Sequence, residues 1–161
     1  MSEHEVTISL SITPTWSILK EVREKTGDLM KKKGAGKDII ESTIMCAVEL
    51  VENAIKYGAS SAGGNTITFD LSTKSDTVVI KVSNGVRDEC DAGNVKSHID
   101  RIKVSGDPGR LYTERLQQLM ENPRPGESQL GLYRIAYEGE FALDYKYGDG
   151  ILTVAAERKY R

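Results

Sequence analysis

Five short segments of the chain alternate apolar and polar residues, and this alternation restricts the fold more than any other feature. Residues 5 to 12 form the first segment, and its apolar side chains are Val6, Ile8, Leu10 and Ile12. Strict alternation places such side chains on one face of a β-strand. The other four segments form two pairs, one around the turn Lys74-Ser75-Asp76 and one around Gly148-Asp149-Gly150. Two hairpins and a fifth strand predict a largely antiparallel sheet with one apolar face.

Helical segments are expected to cover that face. The dipeptide Thr13-Pro14 predicts a helix start, because Thr caps helix N-termini and Pro favours the first helical position. Gly34-Ala35-Gly36 interrupts the helical periodicity, and a second helix is predicted from about Asp38 to just before Gly58. The predicted fold class is therefore α+β, a two-layer sandwich in which a mostly antiparallel five-stranded sheet carries helices on one face.

A long connection, residues 85 to about 128, separates the two hairpins. Helical spacing within it predicts two short helices, around Val95 to Ile102 and around Tyr112 to Met120. Long connections inside compact domains are usually lids, binding segments or mobile regions. Gly131 then opens a last helix that ends near Tyr137. The length of 161 residues predicts a single domain, residues 1–161, with a lid-like helical insertion.

Composition excludes several classes of protein. The formal net charge of -2 provides no basic field that would hold nucleic acid. No run of 18 apolar residues is present, so no membrane span is expected, and the N-terminus lacks a signal pattern. The two cysteines, Cys46 and Cys90, lack the spacing of a metal site. These features predict a cytoplasmic protein without a metal site of its own, apart from an ion that a substrate brings.

Residues 44 to 58 contain the pattern that bears most directly on function. On a helix, Glu49, Asn53 and Lys56 fall on one stripe at spacings i, i+4 and i+7, opposite an apolar face. Such a stripe is in most proteins an ordinary solvated surface. However, Asn is a poor residue for the middle of a helix, because its amide competes for backbone hydrogen bonds. The stripe is therefore either a solvated face or a site that needs a carboxylate, an amide and an ammonium group together.

Three motifs in fixed order resemble the GHKL (Bergerat-fold) ATPase and kinase superfamily. Glu49-Leu-Val-Glu-Asn53-Ala-Ile-Lys-Tyr-Gly58 is similar to the N-box of that family. Val82-Ser83-Asn84-Gly85 stands in the place of the adenine-reading box, and Gln129-Leu130-Gly131-Leu132 resembles the second glycine box. The order of elements also matches over nearly the whole chain. Within the superfamily, the chain resembles single-domain anti-sigma-factor serine kinases of the SpoIIAB and RsbW kind, and most of all the SiaB-type branch.

The resemblance implies a role for each matching residue. Glu49 would be the general base, Asn53 would ligate Mg²⁺ on the triphosphate, and Lys56 would offset phosphate charge. Asn84 and Gly85 would hold adenine. Gly131 and Leu132, at a helix N-terminus, would offer backbone N–H groups to a phosphate, which such termini favour. The implied cofactors are thus ATP and Mg²⁺, and catalysis by these groups would rest on positioning and electrostatics.

The implied function is an ATP-dependent serine/threonine protein kinase of a bacterial partner-switching pathway. Its substrate would be a small STAS-type antagonist protein, and the resemblance also implies a homodimer. The alternative is a degenerate GHKL module that binds a regulatory partner with weak or no nucleotide binding. This alternative arises because Asn84 replaces the family's Asp, Val86 replaces its next glycine, and Gln129 replaces the first glycine of the second box. Asp88 is a second possible partner for adenine.

Overall fold

The structure, a computed structural model, describes residues 6–12, 17–57, 67–86, 89–122 and 130–160. The predicted helix start at Thr13-Pro14, the end signal at Gly58, and the residues Asp88 and Gln129 lie outside these ranges. The elements follow in the order β1 (Val6–Ile12), α1 (Ile18–Lys32), α2 (Lys37–Tyr57), β2 (Ile67–Lys74), β3 (Thr77–Gly85), α3 (Glu89–Ser105), α4 (Pro108–Glu121), α5 (Leu130–Tyr137), β4 (Ala142–Gly148) and β5 (Ile151–Lys159).

The five strands form one sheet in the order β1-β2-β3-β5-β4, and every neighbouring pair in it is antiparallel. This confirms the predicted α+β class with a mostly antiparallel five-stranded sheet. The second hairpin turns at Asp149 and Gly150, which both have positive φ, 54° and 75°. Two such residues in succession match the twist of the flanking strands, and Asp-Gly is a preferred sequence for this turn.

One face of the sheet carries the core. Along β2, for example, every second residue is buried. Helices α1, α2, α3 and α5 add further buried apolar side chains to the same cluster, among them Val22, Val51, Ile99 and Leu132. The opposite face bears polar residues such as Asp70, whose carboxylate accepts a hydrogen bond from the Ser9 hydroxyl at 2.6 Å. The amphipathic pattern of strands and helices thus produces the two layers.

The connection between β3 and α5 folds into α3 and α4, which are longer than the two short helices expected. Helix α4 has Asp107 as its N-cap, whose carboxylate accepts a hydrogen bond from the Arg110 backbone N–H at 3.1 Å. Two apolar residues of α4 are exposed, Met120 at 74% and Leu116 at 39%. In the part of the chain that the structure describes, no helix combines the length and apolarity needed to cross a membrane.

Helix α5 lies at the centre of the helical layer, because it contacts α2, α3 and α4. Gly139, just after its C-terminus, leaves little room for a side chain: a Cβ there would lie 2.7 Å from the carbonyl oxygen of Ile135 and 3.1 Å from Cε of Met45. Met45 belongs to α2. The absence of a Cβ at Gly139 thus allows this end of α5 to approach α2 closely.

Candidate functional site

Helix α2 carries Glu49 and Asn53 one helical turn apart, as the sequence stripe predicts. Its apolar side, including Ala47, Leu50, Val51 and Ala54, is buried in the core. Glu49 and Asn53 are only partly buried, and Lys56 is exposed in the last turn. Because one side of α2 is buried, the opposite side faces solvent. Glu49 and Asn53 lie at the border between the core and that solvent-facing side.

Asn53 lines a narrow cavity between α2 and the sheet. The cavity has a volume of about 20 Å³, and its lining residues are Leu50, Asn53, Ala54, Val82, Asn84, Val86, Val95, Leu152 and Val154. Two amides, Asn53 and Asn84, are the only polar side chains among them. Val95 comes from α3, so the insertion contributes one wall. A volume of this size holds about one water molecule.

Asn84 lies near the end of β3, opposite Leu152 of β5. Its side chain is nearly inaccessible, since the residue is 8% exposed, and its Nδ2 donates a hydrogen bond to the carbonyl oxygen of Gly85 at 3.0 Å. This bond assigns the NH₂ group to the protein backbone. The acceptor oxygen of the amide is then the group with which Asn84 could meet a ligand's N–H. The chain continues in register, because the Val86 N–H donates to the Gly150 carbonyl oxygen at 2.9 Å.

Glu49 does not line this cavity; it lies against α5. A Cβ added at Gly131 would overlap Oε2 of Glu49 and lie 3.1 Å from its Cδ. Gly131 is the second residue of α5, so the start of this helix and the Glu49 carboxylate share one location. The sequence resemblance implied a phosphate-binding backbone N–H at Gly131, at the start of the last helix. The structure adds a packing reason, since a side chain at this position would displace the Glu49 carboxylate from its place against α5.

The other oxygen of the carboxylate, Oε1, forms an ion pair with Nη1 of Arg134 at 3.3 Å. Burial raises the pKa of Glu49, and the negative charge of Glu52 raises it further. The positive charges of Arg134 and Lys56 act in the opposite direction and lower that pKa. A carboxyl group whose pKa is moved toward neutrality by burial is suited to accept a proton.

The remaining predicted site residues, Gly85 and Leu132, could meet a ligand only through their backbones. Leu132 is fully buried, so its side chain belongs to the core and only its N–H could serve a ligand. Gly85 has no side chain and is paired with Ile151 of β5. Among the residues that the structure describes, no three His, Cys, Asp or Glu side chains form a group that could hold a metal ion. A single amide ligand such as Asn53 is a different arrangement, which suits Mg²⁺ when phosphates and water supply the other oxygens.

Sequence reasoning missed Arg134. Its Nε donates to Glu138 at 2.7 Å while its Nη1 reaches Glu49, so one guanidinium joins two carboxylates. The Arg134–Glu138 pair has the spacing i, i+4, with Glu138 just past the end of α5, and is visible in the sequence. The contact with Glu49 is not, because 85 residues separate the two.

A second missed contact joins the insertion to α5. Nδ1 of His98, on α3, lies 2.5 Å from the hydroxyl of Tyr133, and the two rings meet edge to face. Burial lowers the pKa of His98 from 6.5 to about 4, and the positive charges of Arg115 and Arg101 act in the same direction. His98 is therefore neutral near pH 7 and can accept the hydrogen bond that the Tyr133 hydroxyl donates.

Neither a protein-family model nor a curated protein matches this chain. Several solved structures share its fold, among them the following two. A chain of the SiaB-SiaC complex from Pseudomonas aeruginosa is 17% identical, with a TM-score of 0.66 over 93% of this chain and 88% of that one. The structure of the RsbU and RsbW domains of a Mycobacterium tuberculosis protein is 15% identical, with a TM-score of 0.54 over 97% of this chain. This chain spans only 34% of that longer one. The likeness confirms the fold that the sequence resemblance implies.

Proposed function

We propose that the protein is an ATP-dependent serine/threonine protein kinase of a bacterial partner-switching pathway, and that its substrate is a small STAS-type antagonist protein. One observation carries this proposal. The three motifs that resemble GHKL boxes are far apart in sequence, yet Glu49 lies against Gly131 while Asn53 and Asn84 line one cavity. The shared fold with the SiaB-SiaC structure and with the RsbU and RsbW domains is consistent with a partner-switching role.

In this proposal Glu49 is the general base. Its carboxylate takes the proton of a serine or threonine hydroxyl as the hydroxyl oxygen bonds to the terminal phosphorus of ATP. The bond between that phosphorus and the bridging oxygen breaks, and ADP leaves with the electron pair. Partial burial favours this role, because a carboxylate with 19% of its side chain exposed keeps a raised pKa yet remains reachable.

The other residues hold the nucleotide. The apolar walls of the cavity, such as Ala54 and Val154, suit the faces of a purine ring, and the amide oxygen of Asn84 suits its amino group. Asn53 would ligate Mg²⁺, and the metal when bound neutralises charge on the phosphates. Lys56 adds a positive charge one turn further along α2. The backbone N–H groups at Gly131 and Leu132 would meet a phosphate at the start of α5.

A purine needs more space than the cavity offers. Because the cavity holds about 20 Å³ and Val95 of α3 forms one wall, nucleotide binding on this proposal requires α3 to move outward. The inserted helices would then act as a lid, as their place in the sequence suggests. The proposal therefore includes a conformational step before chemistry.

The test compares three variants with the wild-type chain. We expect Glu49→Gln to keep Mg-ATP affinity and to lower phosphoryl transfer by about 10²–10⁴-fold, since the amide keeps the shape but cannot take a proton. Asn53→Ala is expected to abolish Mg-ATP binding in calorimetry. Glu41→Gln is the control, because Glu41 is an exposed residue of the same helix. Activity is measured as hydrolysis of labelled Mg-ATP and as transfer to STAS-type proteins from the same organism. Equal activity of Glu49→Gln and wild type would contradict the role of Glu49.

The second candidate is a partner-binding module without nucleotide binding. The narrow cavity favours it, as does the neutral amide of Asn84 in place of a carboxylate. Calorimetry decides between the two candidates. Micromolar Mg-ATP binding that Asn53→Ala abolishes excludes the module, whereas no heat with either Mg-ATP or Mg-ADP excludes the kinase.

A further inference from the structure

We propose that Arg134 is the positioning residue for the Glu49 carboxylate. This inference rests on the proposed function. It gives a role to a residue that lies outside all three motifs. Arg134 binds only one oxygen of that carboxylate, Oε1, with its Nη1 at 3.3 Å. The second oxygen, Oε2, lies over the backbone of Gly131. The contact thus fixes the rotation of the carboxylate and leaves Oε2 to accept a proton at the start of α5.

A second hydrogen bond holds the Arg134 guanidinium in place, independently of Glu49. Its Nε donates to Oε2 of Glu138 at 2.7 Å, and Glu138 lies just past the C-terminus of α5. Because the guanidinium is planar, a bond at Nε fixes the plane in which Nη1 points. Glu138 therefore orients the guanidinium toward α2, and less side-chain freedom is lost when Nη1 meets Glu49.

The exposure of the Arg134–Glu49 pair indicates that its main effect is on the position of the carboxylate and not on the stability of the fold. The Arg134 side chain is 45% exposed and the Glu49 side chain 19% exposed, so their ion pair is partly hydrated and adds little to folding. The direction of a reacting carboxylate matters far more, since a displacement of about 1 Å can lower a rate by about 10²-fold. The charged groups that face Glu49 are Glu52 and Lys56 from its own helix and Arg134 from α5. Arg134 is the only one of these to come from another element.

The experiment uses the full chain and two substitutions of one residue. We expect Arg134→Gln to lower the turnover number for Mg-ATP hydrolysis by about 10–100-fold while the KM for ATP stays within about twofold. Arg134→Lys should restore part of the lost turnover, because Lys supplies the charge without the planar fork. Arg110→Gln is the matched control: Arg110 is an exposed arginine of α4 whose side chain pairs with Glu114.

A second measurement does not depend on activity. Carbon-13 NMR follows the Glu49 carboxyl as pH is changed, and the Glu49→Gln spectrum assigns its signal. Removal of the Arg134 charge is expected to raise the pKa of Glu49 in Arg134→Gln and not in Arg110→Gln.

The outcomes distinguish this inference from the proposed function. If wild type turns over ATP but Arg134→Gln keeps its turnover number within twofold and leaves the Glu49 pKa unchanged, the positioning role is wrong and the kinase stands. If Arg134→Gln raises the KM for ATP and weakens ATP binding equally, with an unchanged turnover number, then Arg134 contacts the nucleotide. This result also overturns the inference. If wild type has no activity, the proposed function fails, and the NMR titration alone decides whether Arg134 holds Glu49.

Discussion

Replacement of Gly131 by Ala should separate folding from chemistry. The new methyl group would overlap Oε2 of Glu49, which is the far end of a flexible side chain. The carboxylate can turn away toward solvent, whereas the backbone of α5 need not move. We therefore expect Gly131→Ala to fold normally and to lose phosphoryl transfer, because the carboxylate no longer lies at the start of α5.

The expected change in stability follows from two opposing effects. Ala stabilises a helix interior relative to Gly by up to about 1 kcal/mol, which is an upper limit for Gly131 in the first turn of α5. Loss of the partly exposed Glu49–Arg134 ion pair costs about 0.2–1 kcal/mol. The free energy of unfolding should then stay within about 1 kcal/mol of wild type, which corresponds to a melting temperature within about 4 °C. A displacement of the carboxylate by about 1 Å or more should lower turnover by about 10²-fold or more.

Thermal unfolding by circular dichroism and Mg-ATP hydrolysis are measured on the same preparations. Gly93→Ala is the matched control, since Gly93 is also a helical glycine, but a Cβ there meets no atom within 4 Å. That variant should be equally stable or slightly more stable, with wild-type turnover. A loss of more than about 2 kcal/mol of stability in Gly131→Ala would show that Glu49 cannot move aside. Wild-type turnover in a stable Gly131→Ala would show that the carboxylate's position against α5 has no role in catalysis.

Three further predictions concern stability and pH. Gly139→Ala should cost about 1–3 kcal/mol in urea unfolding, because its Cβ would lie 2.7 Å from the backbone carbonyl oxygen of Ile135, and an unchanged midpoint would contradict this. Since the folded-state pKa of Glu49 is raised from 4.5, its contribution to stability is present below about pH 4.5 and is lost as pH rises through the raised value. Turnover should increase over the same interval, and Glu49→Gln should remove both effects. The pKa of His98 is lowered from 6.5 to about 4, so its contribution to the free energy of unfolding is present above pH 6.5 and is lost as pH falls toward 4. In His98→Asn the amide oxygen can still accept a hydrogen bond from the Tyr133 hydroxyl. This variant should therefore lose less stability than wild type between pH 6.5 and 4, as measured by urea unfolding.

The sequence predicted the sheet and α2 because their patterns are local. Alternation at period two is enough to identify each strand, and Asp149-Gly150 is enough to identify a tight hairpin. The stripe of Glu49 and Asn53 follows from helical spacing alone. The strands, the hairpins and the stripe depend on residues that are close in sequence, whereas the pairing of β1 with β2 and of β3 with β5 joins distant segments.

The contacts that sequence reasoning missed depend on packing between distant elements. From the sequence, Arg134 is a surface residue of a short helix, and its predicted partner is Glu138. Only the packing of α5 on α2 shows that Arg134 also contacts Glu49. The bond between His98 and Tyr133 likewise needs α3 to fold back over α5. Helical spacing placed Met120 correctly on a helix, but spacing alone says nothing about burial, and the residue is 74% exposed.

The glycines near the two ends of α5, Gly131 and Gly139, have different effects. A Cβ at Gly139 would meet the backbone of α5 and Met45, whereas a Cβ at Gly131 would meet the carboxylate of Glu49, one turn further along α2. A side chain at position 139 would push against a backbone carbonyl group and the core, so this end determines how closely α5 packs. A side chain at position 131 would push only against a movable carboxylate, so this end determines where that carboxylate lies. Helix α5 is therefore held by the fold at its C-terminus and faces the candidate chemistry at its N-terminus.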